Sequence, residues 1–433
     1  MKIHIKNGRV IDPKTGTDAQ QDVYIAAGRI VAMGTAGTAG TAGAAPADFK
    51  AQRSIDAAGL VVAPGLVDLS ARLREPGFEY KATLETELHA ALAGGITSLA
   101  CPPDTDPVLD EPGLVEMLKH RARSLNLVHV HPLGALTVQL AGKRLTEMVL
   151  LREAGCVAFS QADAPMADTQ VLWRALQYAS TFGFTVWLRP QDAHLAHEGV
   201  AHDGEVATRL GLPGIPASAE TIAIMTIVQL VRDTGARVHL QRLSTARGVE
   251  LVREAKREGL PISCDVSAHH LHLSEMDIGY FDSHCHLIPP LRSGRDRDAL
   301  RSGLADGTVD ALCSDHAPVD EDAKQLPFSE SEAGATGLEL LLPLALKWGS
   351  EMKLPLAKTL AAVSGKPAAI MDIAGGHLAV GEAADLCIFD PEAMVRITAE
   401  GLKSQGKNTP FMGYELPGKV RYTLVGGLVV YNG

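Results

Sequence analysis

The 433-residue chain has few cysteines, and they stand apart: Cys101, Cys156, Cys264, Cys285, Cys313 and Cys387 form no CxxC pair. That spacing suggests neither a disulfide framework nor a zinc knuckle and leaves reduced, mostly buried thiols as the expectation. No run of eighteen or more apolar residues occurs, so no membrane-spanning helix is expected. The start, MKIHIKNGRVIDPKTG, alternates as a strand does and lacks the apolar stretch of a signal peptide, which predicts a cytoplasmic protein. There is no long basic run either. Forty Lys plus Arg stand against fifty-one Asp plus Glu, a formal charge of -11, which argues against nucleic acid or an anionic membrane as the main partner. What remains is ordinary globular composition, 46% hydrophobic and 21% charged, at a length sufficient for one large domain and a smaller one.

Two rhythms divide the chain. The first sixty residues hold the β-like runs KIHIKNGRVI, DVYIAAGRIVAMG and SIDAAGLVVAP, and the last sixty hold ADLCIFD, VRYTLVGG and LVVYNG, separated by Gly, Asp and Pro turn signals. A handful of strands at either end cannot bury a core alone, so residues 1–62 and 375–433 are expected to combine into one small β domain. The low-complexity stretch GTAGTAGTAGAAPADF between them reads as a flexible surface loop. From 63 to 374, eight short apolar runs alternate with helical stretches. The runs are GLVDLS, ITSLACP, LVHVHPL, CVAFS, FTVWLR, RVHLQRLS, PISCDVS and VDALCSDHAP. Stretches such as ADTQVLWRALQYASTFG close on glycine, a helix stop. Eight strand–helix units predict an α/β fold, a (β/α)8 TIM barrel with the small β domain built from both termini.

Residues 64–77, PGLVDLSARLREPG, carry a strand into a Glu-Pro-Gly break, and strand ends are where barrel enzymes keep their chemistry. This stretch and five more, AALAGGITSLACPPDTDPVLD, HHLHL, IPPLRSGRDRDAL, CSDHAP and PFSESEAGATGLE, occur in the order found in dihydroorotases. The chain resembles a dihydroorotase of the cyclic amidohydrolase group over essentially its whole length.

The resemblance implies metal ligands from a first-strand HxH, an acidic residue or carboxylated lysine after the fourth strand, histidines after the fifth and sixth, and an aspartate after the eighth. Carried onto this chain, those positions are Ser70 and Arg72, Gln161, Arg189, Arg242 and Asp315. Zinc needs neutral imidazole, thiolate or carboxylate lone pairs, whereas guanidinium has five donors, no acceptor and a permanent charge. Only Asp315 survives as a ligand. Of the positions that the resemblance gives to substrate, Arg74 is kept as a carboxylate clamp, but asparagines are replaced by Asp104 and Ile288 and a histidine by Val319. The glycines of LAGGIT, Pro289, Pro290, Gly334, Gly337 and the REPG turn persist, so structure is kept where chemistry is lost.

His269, His270 and His272, with His284 and His286, have spacing that allows a displaced metal site, but no acidic ligand accompanies them and hydrogen-bonded loop histidines are the expectation. His239 reads as a satisfied strand-end histidine and His316 as a loop-ordering one. Asp315, near three arginines, is expected in an ion-pair network, and Arg74 is expected to pair with Glu75 or Asp104. Together these features resemble a pseudo-dihydroorotase: no catalytic residues, no metal, no cofactor. That resemblance implies a structural subunit of pyrimidine biosynthesis in a hetero-oligomer with the catalytic chain of aspartate carbamoyltransferase. Two other readings stay open: an active dihydroorotase or other cyclic amidohydrolase with an unorthodox metal centre, and an anion-binding module using the arginine-rich pocket.

Overall fold

Strands from both ends of the chain share one sheet. The computed structural model describes residues 1–34 and 49–433, so the low-complexity stretch lies, but for its two ends, outside the described residues. The sheet runs β18 (Leu428–Asn432), β17 (Glu415–Val425), β16 (Leu386–Arg396), β5 (Val61–Pro64), β1 (Lys2–Asp12), β2 (Thr17–Ala26), β3 (Arg29–Gly34), with β4 (Arg53–Asp56) also on β1. The junction between termini is the antiparallel β5–β16 pair. Alternation along β1 sends Ile3, Ile5 and Val10 into a core shared with Val23, Ile25, Ile388 and Leu424, so neither terminal segment buries its apolar face unaided. The run DVYIAAGRIVAMG, which reads as one strand, is two: Ala27 and Gly28 both take positive φ and turn β2 back as β3. The expected division after residue 62 falls inside β5, which continues almost directly into the barrel.

All eight apolar runs of the middle segment are parallel strands in one sheet. They are β6 (Leu66–Asp68), β7 (Ile96–Cys101), β8 (His129–Ala135), β9 (Ala158–Ser160), β10 (Thr185–Leu188), β13 (Arg237–Leu240), β14 (Ile262–Ser267) and β15 (Ala311–Cys313). β11 (Ala201–His202) and β12 (Gly214–Ile215) form a separate pair in the long β10–β13 connection. The barrel closes at the strand ends, where the His316 amide donates to Ser70 O at 3.0 Å and the Arg72 amide to His316 O at 2.9 Å. The strands are covered by α1 (Leu84–Ala93), α2 (Pro112–Leu125), α3 (Met148–Ala154), α4 (Thr169–Phe182), α5 (Glu205–Leu210), α6 (Ala217–Thr234), α7 (Ala246–Arg257) and α8 (Gly294–Asp306). Sequence chemistry sets their ends. Thr83 and Thr86 form a capping box on α1, Asp168 caps α4, Ser293 and Asp296 box α8, and Gly183 and Gly235 end α4 and α6 in the left-handed region. All six cysteines are buried and none is in a disulfide. Among the described residues no helix is long and apolar enough to cross a membrane.

Gly337 shows why a scaffold glycine is needed: a Cβ there would lie 2.3 Å from Ser314 O, a backbone atom of the barrel-closing strand end. Gly113, exposed in the first turn of α2, has nothing within 4 Å of that position. The same substitution therefore has opposite signs. Gly337→Ala should lower unfolding free energy by about 1 to 3 kcal/mol through overpacking, while Gly113→Ala should leave it unchanged or raise it by up to about 1 kcal/mol; urea unfolding of both variants measures this.

Candidate functional site

The residues singled out from the sequence lie where the strands end. Ser70 and Arg72 follow β6, Asp104 follows β7, Gln161 follows β9, Arg189 follows β10, Arg242 follows β13 and Asp315 follows β15. Several leave their strands in the left-handed region: Arg74 at φ 61°, Ala162 at 50°, Arg242 at 53° and Asp315 at 49°. Side chains disfavour that region, and such strain gathers at functional sites.

One carboxylate gathers the guanidiniums. Arg72 Nη2 donates to Asp163 Oδ2 at 2.5 Å, Arg189 Nε to Asp163 Oδ1 at 2.7 Å, and Arg242 Nη2 also donates to Oδ1. Arg72 Nε reaches Asp104 at 2.7 Å, and Arg242 Nη1 reaches Asp315 at 2.8 Å. Arg72, Arg189 and Arg242 are thus matched by Asp104, Asp163 and Asp315, charge for charge. The arginine side chains are 2–7% exposed, whereas Asp163 is 30% exposed and stands between them and solvent. Burial alone would raise the Asp163 carboxyl, but Arg242, Arg72 and Arg189 hold it well below the ordinary aspartate range. Asp315 differs. Burial pushes it up, and Arg242 and Arg72 only partly counter that.

Asp163 is absent from the positions carried over by resemblance, although it stands two residues after Gln161 in the same AFSQAD run. Gln161 itself turns away, accepting from Thr137 Oγ1 at 3.0 Å and donating to Leu140 O at 2.7 Å. The buried Ser70 hydroxyl has no partner. Asp104, which stands where the resemblance puts a substrate-contacting asparagine, serves as a counter-ion to Arg72. Arg74 pairs with neither Glu75 nor Asp104. Its Nε donates to Pro318 O at 2.9 Å and its nearest carboxylate is Glu332, at 3.8 Å, because Asp104 is already taken by Arg72 and Glu75 accepts from the Leu84 amide opening α1. Ile288 lines the mouth cavity of about 260 Å³, and Val319 is buried, its amide donating to Asn408.

The histidines scatter. His239 is fully buried between Ser263 Oγ at 2.9 Å and Asp265 Oδ2 at 3.0 Å. His316 meets Glu87 at 2.7 Å and accepts from the Gly337 amide. His270 and His272 meet the carbonyls of Pro290 and Leu344, His284 meets Asp282, and His286 meets Ser331. His269, buried against Phe411, has no hydrogen bond on either ring nitrogen. Among the described residues no group of three or more His, Cys, Asp or Glu is arranged to hold a metal.

Residues 59–247 match the dihydro-orotase-like family and residues 174–430 the amidohydrolase family. The chain is a dihydroorotase-like member of the amidohydrolase family. It is 47% identical over 433 residues to a dihydroorotase-like protein of Pseudomonas aeruginosa and 41% identical over 432 residues to a dihydroorotase of Geobacter sp. strain M21, each match covering 100% of both chains. Its fold is similar to that of the L-hydantoinase (dihydropyrimidinase) of Arthrobacter aurescens, with a TM-score of 0.87 at 25% identity over 99% of this chain and 96% of that one. The metal centre that this dihydroorotase-like resemblance implies does not fit the donors present. Three of its positions present guanidinium N–H groups, which have no lone pair to give, and Asp315 is already accepting from Arg242.

Removing the Asp163 charge leaves three buried guanidiniums sharing two carboxylates. Asp163→Asn should cost about 3 kcal/mol, the lower end for breaking a buried pair because the carboxylate keeps some solvent. Since the native carboxyl is held low, its contribution is complete above the ordinary aspartate value of about 4 and is lost as pH falls through the lowered native value. Urea unfolding from pH 7 downward should therefore show the gap between wild type and variant closing only below about pH 4.

Proposed function

We propose that this chain is a non-catalytic dihydroorotase-like subunit of pyrimidine biosynthesis that assembles with and supports the catalytic chain of aspartate carbamoyltransferase. The carrying observation is the neutralised mouth, where Arg72, Arg189 and Arg242 stand at ligand positions with Asp163 as their common counter-ion. Dihydroorotase chemistry in the resembling group needs a metal to lower the pKa of water and polarise a ring carbonyl. The guanidiniums here have no lone pair to hold a metal, and they already donate to Asp104, Asp163 and Asp315. The barrel around it is well made, its strand ends closed and its interior filled by Val67, Leu133 and Trp187. A barrel of this kind still offers surface, and interface affinity rests on a few buried anchors that need not touch the mouth. The identity of the partner comes from resemblance to dihydroorotase-like proteins that accompany the carbamoyltransferase.

The anion-binding alternative is opposed by charge. An anion entering the mouth has to displace Asp163 from three guanidiniums, losing contacts as good as those it gains.

Two measurements test the proposal. Elemental analysis of purified protein should find well under one equivalent of tightly bound zinc, with no dihydroorotate hydrolysis or carbamoyl-aspartate cyclisation; stoichiometric zinc with a rate abolished by Asp315→Ala would revive the amidase reading. Co-expression with the carbamoyltransferase should yield a hetero-oligomer by size-exclusion with light scattering, kept in Arg74→Ala. Independent elution at micromolar concentration, with full transferase activity in this chain's absence, would remove the subunit role.

A further inference from the structure

At the opposite end of the barrel from the arginine network four basic side chains meet, and among the described residues only His129 has a carboxylate partner. The groove there, about 350 Å³, lies between the last turns of α2, the start of β8, Gly155 after α3 and Val425 of β17. Lys119 and Arg123, one helical turn apart, both face it, and His129 and His131 enter from β8. Among the described residues neither Lys119 nor Arg123 has a carboxylate within ion-pairing distance, in contrast to Arg121 beside them, which is paired with Glu75. Lys119 reaches only Ala154 O, at 3.2 Å. Asp385 serves His129, at 3.1 Å, and accepts from the Gly426 amide at 2.6 Å. His131, half-buried, makes no side-chain hydrogen bond to any of the described residues.

The chain carries a net charge of -11, so an unrelieved cationic groove needs a reason. Burial, with His129 and Lys119 nearby, lowers the His131 pKa to about 4, and burial with Arg123 lowers that of Lys119. Lys119 and Arg123 repel one another, and an anion between them relieves that repulsion. Gly155 adds a geometric sign: at φ 109° it has no Cβ, and one would fall 1.6 Å from Lys119 Nζ. The glycine therefore leaves the ammonium its place at the groove wall.

We propose that this groove binds a phosphate-bearing small molecule, its oxyanion held by Lys119, Arg123 and the His131 ring and its apolar part laid against Leu127, Val128 and Val425. Separate donors from helix α2 and strand β8 suit the several terminal oxygens of a phosphate better than the two of a carboxylate. The site is independent of the subunit role argued from the mouth.

The test is isothermal titration of the full chain with inorganic phosphate and with adenosine 5′-monophosphate, using adenosine and sodium chloride at matched ionic strength as controls. Both phosphates should bind with Kd of about 1 mM or tighter, and neither control should give saturable heat. Lys119→Ala with Arg123→Ala should weaken phosphate binding by about tenfold or more. Arg123→Glu, a change at an exposed position, should do the same, while Arg74→Ala at the far end should leave binding unchanged. Absence of saturable binding up to about 10 mM, binding that survives both groove variants, or binding lost in Arg74→Ala instead would overturn the assignment.

Discussion

Three buried guanidiniums at one end of a barrel cannot share that space unless something negative stands among them. At 4 Å and an effective dielectric near 20, two like charges repel by about 4 kcal/mol. Asp163 resolves this by accepting from Arg72, Arg189 and Arg242 at once, leaving Asp104 to satisfy Arg72 further and Asp315 to satisfy Arg242. The same contacts tie the ends of β6, β7, β9, β10, β13 and β15 together. Charge-assisted hydrogen bonds thus join strand ends at the positions that the dihydroorotase resemblance gives to metal ligands.

Beneath that layer lies a second one that no metal is needed to hold. The Asp68 carboxylate accepts from the Ser314 amide at 2.7 Å and from its hydroxyl at 2.5 Å, closing β6 on β15, and burial pushes this carboxyl up to about 7. Asp265 accepts from His239 and from the Arg242 amide, fixing the backbone that aims Arg242 at Asp163. On the outer side His316, Ser404 and the Gln405 amide all meet Glu87; burial would raise this carboxyl, but those partners hold it below its usual value. Through Ser404 and Gln405 the segment before β17 is fastened to α1 and the strand-end loop. Both small domain and barrel are thereby locked to the frame that positions the mouth.

The eight barrel strands are legible because each is a short, largely apolar run bounded by turn residues and followed by a helical stretch. The β2–β3 turn was hidden, because Ala27 and Gly28 interrupt neither apolar content nor alternation. At the site, residue type alone shows that Arg72, Arg189 and Arg242 cannot ligate a metal, and unlike charge places Asp315 in an ion-pair network with the arginines; which of them it meets, Arg242 across the intervening β14, is set by the tertiary fold. The role of Asp163 is not legible in the sequence, for a physical reason. Its role depends on a left-handed Ala162 that swings the chain inward, while the Gln161 amide is drawn to Thr137 and Leu140. The only signal was an unassigned acid two residues past a position already assigned. The partners of Arg74 were likewise fixed by prior claims on Glu75 and Asp104, which are tertiary facts.

Because each member of the network answers to several others, its residues cannot be exchanged one at a time at independent cost. A histidine in place of Arg72 would take a donor from Asp163 and strand Asp104, whose side chain is partly buried, before it offered a lone pair to any ion. Restoring Arg189 or Arg242 alone leaves Asp163 facing the remaining guanidiniums with the balance broken in the same sense. Installing a metal centre one residue at a time therefore passes through states with unpaired buried charge, each penalised by several kcal/mol on the scale of broken buried ion pairs, ~3–5. Changes on the outer helices meet no such coupling. A barrel locked in this way holds its mouth fixed while its surface stays free to vary.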